Sequence, residues 1–161
     1  MIEKIKPNLF KLKFQEFGSN VYLLNLQDKL ILIDTSSEEN QEELIEDLSE
    51  LNLTPKEIST IILTHSHWDH QGNLELFKKA NIISFKNFKE LKIPELRIIL
   101  TPGHTKDSLC ILYKQVLFSG DTIFENEGAG RTDLPESEPE KMEESLVRLD
   151  KLDYEILCPG H

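Results

Sequence analysis

Alternating apolar and polar positions run through the first third of the chain. The alternation covers residues 9–15 (LFKLKFQ), 20–25 (NVYLLN) and 29–35 (KLILIDT), with FGSN and a short LQD turn between the segments. A period of two places successive side chains on opposite faces of a sheet. This part of the chain is therefore predicted to form an antiparallel β-meander.

The period changes to that of a helix in the next segment, SSEENQEELIEDLSELN. The predicted apolar stripe consists of Leu44, Ile45, Leu48 and Leu51. Ser36 or Ser37 is the predicted N-cap, and acidic residues crowd the first turn, where they interact favourably with the helix dipole. We expect an amphipathic helix that packs its apolar stripe on the sheet.

Further short apolar runs alternate with polar segments to the end of the chain. STIILT is apolar on both faces, as expected of a buried strand, and it leads into HSHWDHQGN. We predict a short helix over GNLELFKKA, strands over IISF, LRIIL, SLCILY, VLFSGDT and YEILC, and a helix from Glu138 to Leu152. The stretch FENEGAGRTDLPESEPE has the glycines, prolines and acids of a long surface loop. Two strand-rich halves with helices indicate an α/β fold in which sheets pack face to face with helices outside.

Length and charge narrow the classes of function. The 161 residues suit one domain over residues 1–161. The formal net charge of −11 opposes binding to nucleic acid or to an anionic membrane surface. The sequence has no run of about eighteen apolar residues and no signal-peptide pattern, so we expect a cytoplasmic protein. Cys110 and Cys158 lie in apolar runs without a CxxC spacing, which indicates buried thiols rather than a disulfide or a thiolate zinc site.

Four candidate metal ligands stand within the six residues HSHWDH. Side chains two residues apart point the same way in an extended segment, so His65, His67 and Asp69 are predicted to face one side. His70 follows as the chain turns. Imidazole and carboxylate groups are the ligands that zinc and similar divalent cations prefer.

Three further candidates follow predicted strands elsewhere in the chain. His104 (PGHT) and His161 (CPGH) each come after Pro-Gly, and Asp121 ends the strand in LFSGDT. A carboxylate at such a strand end is costly to bury unless a cation or good hydrogen bonds accompany it. Any one of these residues alone is better explained as part of a solvated turn, a loop or a turn cap. The seven residues together instead indicate a metal site.

The elements HSHWDH, PGHT, SGDT and PGH, in this order, resemble the metallo-β-lactamase superfamily, and the resemblance spans nearly the whole chain. It implies a four-layer αββα sandwich, C-terminally short because the sequence ends at His161 whereas family members continue. SGDTIFENEGAGRTDLP is similar to the glyoxalase II (hydroxyacylglutathione hydrolase) and persulfide dioxygenase branch. Glyoxalase II enzymes carry a C-terminal helical extension that helps to hold glutathione, so specificity for glutathione stays open.

The resemblance also implies roles for the candidate residues. The implied ligands of one metal are His65, His67 and His104. Those of the other are Asp69, His70 and His161, with Asp121 bridging the two metals. The implied cofactors are two Zn²⁺ per chain, with iron or manganese as alternatives. Two cations lower the pKa of a bridging water enough for a hydroxide to act as the nucleophile near neutral pH. Asp69, which also orients the hydroxide, and Asp121 are the implied catalytic carboxylates.

Three further residues each have two interpretations. Asp34 matches an aspartate that lies behind the ligands in the superfamily, and it is equally typical of a turn after a strand. Arg131 in GRTDL either clamps a substrate carboxylate by a bidentate contact or is an ordinary surface arginine. Trp68 is assigned to packing in preference to substrate contact.

These inferences favour a dinuclear metal-dependent hydrolase of thioesters, similar to hydroxyacylglutathione hydrolase, whose substrate is a small anionic thiol derivative. One alternative is a persulfide dioxygenase-like enzyme with a single iron on two histidines and an aspartate. A lactone or β-lactam hydrolase with the same hydroxide chemistry is another. A non-catalytic metal-binding module is the remaining hypothesis, and it requires an empty second metal site. No nucleic-acid or membrane partner is expected.

Overall fold

A computed structural model describes residues 1–125 and 128–161. The chain divides into a first unit, residues 1–63 with 67–83, and a second unit, residues 64–66 with 84–161. The expectation of one domain over the whole chain stays a prediction.

A six-stranded sheet forms the centre of the first unit. Its strands, in their order across the sheet, are β1 (Ile2–Lys6), β2 (Leu9–Leu12), β3 (Val21–Leu26), β4 (Lys29–Ile33), β5 (Thr60–Ile62) and β6 (Asn81–Ile83). Neighbours from β1 to β4 are antiparallel, which confirms the predicted meander, whereas β5 pairs in parallel with β4 and with β6. The sequence analysis misses β1, because none of its residues is buried and its formation depends on backbone pairing with β2.

Helix α1 (Gln41–Glu50) connects β4 to β5 and shares a core with this sheet. Leu44 and Leu48 are fully buried, in a cluster that also contains Leu23 and Leu32 of the strands. Ile45 is 39% exposed, so the predicted apolar stripe is narrower than expected. The helix therefore packs on the sheet through one narrow face. Leu44 and Leu48 form this face, because residues four positions apart lie on the same side of a helix.

The predicted N-cap of this helix is wrong. A 3-10 turn (Glu38–Asn40) precedes α1, and Ser37 makes no side-chain cap there. The Ser37 hydroxyl instead donates to the carbonyl oxygen of Phe17 at 2.6 Å. The amide of Asn40 donates to the Ser36 hydroxyl oxygen at 3.1 Å. These polar side chains fasten the segment before β3 to the start of the helix.

The short helix predicted over residues 72–80 is also wrong. The helical turn comes earlier, as α2 (Trp68–Gln71), and a single 3-10 turn (Leu74–Leu76) follows it. Asn73 lies between them and donates through its side-chain amide to the carbonyl oxygens of Thr35 and Ser37, at 2.7 and 2.6 Å. A buried Asn side chain that bonds to backbone elsewhere competes with helix continuation, which explains why α2 stops after one turn.

Three antiparallel strands begin the sheet of the second unit. They are β7 (Leu96–Leu100), β8 (Leu109–Tyr113) and β9 (Val116–Gly120), all close to the predicted segments. A two-stranded hairpin of β10 (Ile123–Phe124) and β11 (Gly128–Ala129) follows, within the stretch predicted as a long loop. Part of that prediction, at residues 126 and 127, lies outside the described residues. The stretch is therefore partly a hairpin, which turns the chain back towards the end of β9.

Helix α3 (Pro139–Asp150) and strand β12 (Ile156–Pro159) complete the second unit. The helix lies within the predicted range, and its Leu149 packs in a core cluster with Cys110 and Leu117. The sheet order is β12-β9-β8-β7, with β12 parallel to β9. Because β8 is antiparallel to both β7 and β9, the strands β7, β9 and β12 all run in the same direction.

Both cysteines are buried, and neither forms a disulfide within the part of the chain that the structure describes. Burial raises the pKa of the Cys110 thiol to about 11, so this thiol is uncharged and inert at neutral pH. Among the described residues, no helix combines the length and the apolar character that crossing a bilayer requires. The cytoplasmic location stays a prediction.

Replacing Leu48 with Ala should destabilise the first unit strongly. Leu48 is fully buried in the core cluster, so its truncation is expected to lower the free energy of unfolding by roughly 2–5 kcal/mol. The matched control is Ile45→Ala on the same helix, where the side chain is 39% exposed and the expected loss is below about 1 kcal/mol. Urea unfolding followed by circular dichroism measures both, and equal losses would contradict the core assignment.

Candidate metal centre

Three predicted ligands of the second unit follow three strands of its sheet. His104 comes four residues after β7, Asp121 directly after β9, and His161 two residues after β12. The pairing of Pro159 with Gly120 aligns the ends of β12 and β9. Because these strands run in the same direction, their carboxyl ends meet at one edge of the sheet. The sheet topology thus brings residues that are distant in sequence to one place.

The side chains at this edge converge on one carboxylate. The Oδ2 atom of Asp121 lies 3.6 Å from His104 Nε2 and 3.5 Å from His161 Nε2. His65, which the bond from Leu109 N to Thr64 O (2.8 Å) ties to this unit, has a ring nitrogen within 4.8 Å of the ligand atoms of both His104 and Asp121. Imidazole and carboxylate groups at these spacings are the ligands that divalent cations such as zinc prefer.

The burial of these side chains also favours a bound cation. His65 and His104 are each 3% exposed, and the side chain of Asp121 is 11% exposed. A carboxylate that is largely withdrawn from water loses solvation energy, which a positive charge nearby restores. The donor set and its burial therefore both suit a bound divalent cation.

A backbone contact orients the imidazole of His104. Its Nδ1 atom lies 2.9 Å from the carbonyl oxygen of Arg131. A carbonyl oxygen accepts hydrogen bonds and does not donate them, so Nδ1 carries the proton. In the neutral ring, Nε2 then keeps its lone pair on the side of Asp121, as metal ligation requires.

Gly120 allows the chain to turn immediately before Asp121. Its φ of +49° lies in the left-handed region, which costs glycine little and other residues more. A Cβ at this position would also lie 2.6 Å from the side chain of Thr64. A residue with a side chain would thus strain the turn that presents Asp121.

The first unit holds the other three predicted ligands. His67 is the N-cap residue of α2, and Asp69 and His70 are buried on that helical turn. The ligand atoms of Asp69 and His70 lie within 4.8 Å of one another. The prediction that Asp69 continues an extended segment is wrong, because the amide of His70 bonds to the carbonyl of His67 (3.1 Å) and forms a turn.

Asp34 holds the imidazole of His70. Its Oδ2 atom lies 2.8 Å from His70 Nδ1, and both side chains are almost completely buried. Asp34 follows β4, and its amide donates to the carbonyl of Ile62 on the parallel strand β5 at 3.0 Å. A carboxylate behind a histidine fixes the ring and makes its other nitrogen a better metal ligand. The contact places Asp34 against His70, and the role of Asp34 behind a metal ligand stays a prediction.

Two residues that the sequence does not reveal, Ser19 and Thr35, hold α2 in place through three hydrogen bonds. The amide of Ser19 donates to the carbonyl of Asp69 at 2.9 Å. The amide and the hydroxyl of Thr35 both donate to the carbonyl of His70, at 2.7 and 3.1 Å. The one available signal is the position of Thr35 directly after Asp34. Small polar residues of this kind are too common to identify from one sequence.

Arg131 forms a bidentate salt bridge with Asp133. Its Nε and Nη2 atoms donate to the two carboxylate oxygens at 2.7 and 2.8 Å. These hydrogen bonds lower the pKa of Asp133 to about 2 and raise that of Arg131. The Arg131 side chain is 63% exposed, and its role in substrate binding stays a prediction.

Trp68 does not belong to the buried core. Its side chain is 58% exposed, and its ring centroid lies 5.8 Å from that of Phe17, which is itself 66% exposed. The packing role assigned from the sequence is therefore limited to a contact at the surface.

The chain is similar to several known proteins. The family model of the metallo-beta-lactamase superfamily matches residues 15–90 and 87–161. The probable metallo-hydrolase MJ0888 of Methanocaldococcus jannaschii is 32% identical over 193 residues, covering 95% of this chain and 92% of the relative. MJ0296 of the same organism is 40% identical over 101 residues, covering 56% of this chain. A hydroxyacylglutathione hydrolase of Francisella tularensis subsp. novicida is 30% identical over 126 residues, covering 65% of this chain. The matches span half the length of each of the last two relatives.

Solved structures share the fold. A metallo-beta-lactamase family protein of Thermus thermophilus, TTHA1429, has a TM-score of 0.83 at 21% identity and covers 98% of this chain and 74% of its own. ETHE1 of Myxococcus xanthus has a TM-score of 0.74 at 26% identity, and the match covers 95% of this chain and 75% of ETHE1. TTHA1623 in a di-iron-bound form has a TM-score of 0.78 at 22% identity, and the match covers 94% of this chain and 91% of TTHA1623. The predicted fold class, an α/β sandwich of the metallo-β-lactamase type, is confirmed. The chain therefore belongs to the metallo-beta-lactamase superfamily, a superfamily of metal-dependent hydrolases.

Proposed function

We propose that this chain is a dinuclear metal-dependent hydrolase that cleaves thioesters of small anionic thiols. The observation that carries the proposal is the arrangement around Asp121, whose Oδ2 atom lies 3.6 Å from His104 Nε2 and 3.5 Å from His161 Nε2. A carboxylate oxygen close to two imidazole nitrogens suits a bridging ligand that is shared by two cations.

The proposed ligands form two sets. Those of one cation are His65, His67 and His104. Those of the other are Asp69, His70 and His161, and Asp121 belongs to both sets. The position of Asp121 beside one histidine of each set supports the bridging role. His67, Asp69 and His70 lie within five positions of His65 along the chain, so covalent connectivity also supports the assignment.

Catalysis divides between the cations and the side chains. The two divalent cations, when bound by these residues, would supply a water molecule of lowered pKa and a polarised substrate carbonyl. Asp69 is buried, and its backbone is held by Ser19, so its carboxylate is well placed to orient the attacking nucleophile by accepting its proton in a hydrogen bond. Asp34 and the Arg131 carbonyl hold the rings of His70 and His104 through their Nδ1 atoms.

The names of relatives support the proposed substrate class and the proposed metal. The name of the Francisella relative is hydroxyacylglutathione hydrolase, which supports a thioester substrate with an anionic thiol. A Bacillus subtilis relative, 28% identical over 98% of this chain, is named a probable polyketide biosynthesis zinc-dependent hydrolase. Zinc is accordingly the proposed metal, and the di-iron-bound fold relative makes iron the first alternative, ahead of manganese.

A persulfide dioxygenase-like activity with one iron is the second candidate. The similarity of SGDTIFENEGAGRTDLP to the glyoxalase II and persulfide dioxygenase branch favours it over lactone or β-lactam hydrolysis. A complete set of seven ligands favours two metals instead. Oxygen uptake on glutathione persulfide by the iron-loaded protein would distinguish this activity from hydrolysis.

The purified protein should contain about two zinc ions per chain and hydrolyse S-lactoylglutathione. Replacing His104 with Ala removes a ligand beside the bridging carboxylate, so turnover is expected to fall at least about a hundredfold. Lys106→Ala, two residues away, is the matched control and should retain wild-type turnover. Metal analysis by mass spectrometry and a thiol-release assay measure both quantities. A wild-type protein without metal, or an active H104A variant, would contradict the proposal.

Replacing Asp34 with Asn should weaken one metal site selectively. Asp34 has a φ of +60°, which Asn tolerates well, so the backbone is preserved while the charge behind His70 is lost. We expect the affinity for one of the two zinc ions to fall about 10- to 100-fold. Competition with a chromophoric chelator measures it, with Asp28→Asn at an exposed turn as the control. Unchanged binding of both ions would exclude this role for Asp34.

Arg131 and Asp133 should have opposite effects on the KM of anionic thioesters. Since the pKa of Asp133 is lowered to about 2, the pair stays ionised in any assay near neutral pH, and Asp133 competes with the substrate for the guanidinium. Arg131→Ala should therefore raise KM several-fold, whereas Asp133→Asn should lower it. A neutral thioester serves as the control substrate and should respond to neither change. Equal effects on both substrates would remove Arg131 from substrate binding.

A further inference from the structure

The two-residue segment Gly130–Arg131 approaches two of the proposed ligands through its backbone. It follows β11, where the hairpin returns towards the end of β9. The amide of Gly130 donates to the carbonyl of Thr122 at 2.9 Å, which fixes this segment beside the residue that follows Asp121. Gly130 is buried, although the two residues before it and the one after it are exposed. A buried glycine in an exposed segment indicates a close approach of two backbones.

The close approach is to Asp121. A Cβ built on Gly130 would overlap the carbonyl oxygen of Asp121 and would lie 3.6 Å from the Cβ of His104. The overlap is with backbone, which cannot rotate away as a flexible side chain can. Any residue other than glycine would therefore push Asp121 or the hairpin out of position.

The next residue holds His104. The Arg131 carbonyl oxygen lies 2.9 Å from His104 Nδ1. The Ser137 hydroxyl donates to the His104 carbonyl at 2.7 Å, so the backbone of the histidine is fixed as well. The Arg131 side chain points to its partner Asp133 and takes no part in either contact. The hold on His104 comes from the main chain of Arg131.

We propose that the Gly130–Arg131 segment is a positioning element that sets the separation between His104 and Asp121. This inference rests on the proposed function, because the two residues are proposed ligands of one cation. Metal affinity depends steeply on ligand geometry, and contacts behind the ligands change it about 10- to 100-fold. One short segment thus determines the position of a ligating imidazole and of the bridging carboxylate together.

Three substitutions test whether the main chain of this segment, rather than a side chain, positions the ligands. Gly130→Ala introduces the overlap with Asp121 and should lower zinc affinity at least about tenfold. Arg131→Ala keeps the carbonyl oxygen, so zinc affinity should stay within about twofold of wild type. Gly128→Asn is the matched control in the same hairpin, since a Cβ there meets no atom of the described residues within 4 Å, its chain neighbours aside, and Asn tolerates its φ of +75°.

Zinc affinity of the full chain is measured by chelator competition, and the fold of each variant is checked by circular dichroism and thermal unfolding. A folded Gly130→Ala variant with wild-type zinc affinity would overturn the inference, as would a tenfold loss in Arg131→Ala. A wild-type protein that binds no zinc would instead overturn the proposed function.

A second measurement keeps the inference testable if Gly130→Ala does not fold. In the zinc-loaded wild-type protein, NMR of ¹⁵N-labelled histidine should show a slowly exchanging Nδ1 proton on His104, assigned by its loss in His104→Gln. The same proton should be detected before zinc is added, because the contact with Arg131 belongs to the fold. Rapid exchange of this proton in both forms would overturn the inference.

Discussion

The rest of the site depends on one electrostatic constraint, a carboxylate held close to imidazoles at the edge of a sheet. Asp121 is 11% exposed and has two imidazole nitrogens within 3.6 Å of one oxygen. Neutral imidazoles do not compensate a buried negative charge, so the arrangement is stable with a cation and costly without one. The direction of three strands creates this constraint, because β7, β9 and β12 all end at the same edge. Fold and chemistry are therefore connected through strand direction.

Hydrogen bonds to the imidazole rings of the proposed ligands fix the orientation of these rings. The two units achieve this in different ways: a carboxylate holds His70, and a backbone carbonyl holds His104. Both acceptors contact Nδ1 rather than Nε2, but the carboxylate adds negative charge and raises the basicity of its imidazole. Under the proposed function, His70 would therefore be the stronger ligand of the two.

The sequence predicts most of the fold and the candidate ligands, and its failures have physical causes. The apolar pattern identifies β2, β3 and β4, each of which contains buried residues, whereas β1 has no buried residue and leaves no such pattern. The helical turn at Trp68 and the early end of α2 depend on hydrogen bonds from residues far along the chain, including Asn73. The role of the Arg131 carbonyl is invisible in the sequence, because every residue has a carbonyl. Side-chain chemistry can be read from one sequence, but backbone contacts that depend on the fold cannot.

The acidic character of the chain also has to agree with an anionic substrate. A net charge of −11 repels anions at a distance, but salt screens exposed charges beyond about 8 Å. Under the proposed function, two divalent cations would offset the charges of Asp34, Asp69 and Asp121 and would offer open coordination positions to an anionic group. Arg131 adds a further positive charge that its partner Asp133 largely neutralises. Attraction of an anionic thiol would thus be local and would depend on the metals first, which makes metal loading a requirement for substrate binding as well as for chemistry.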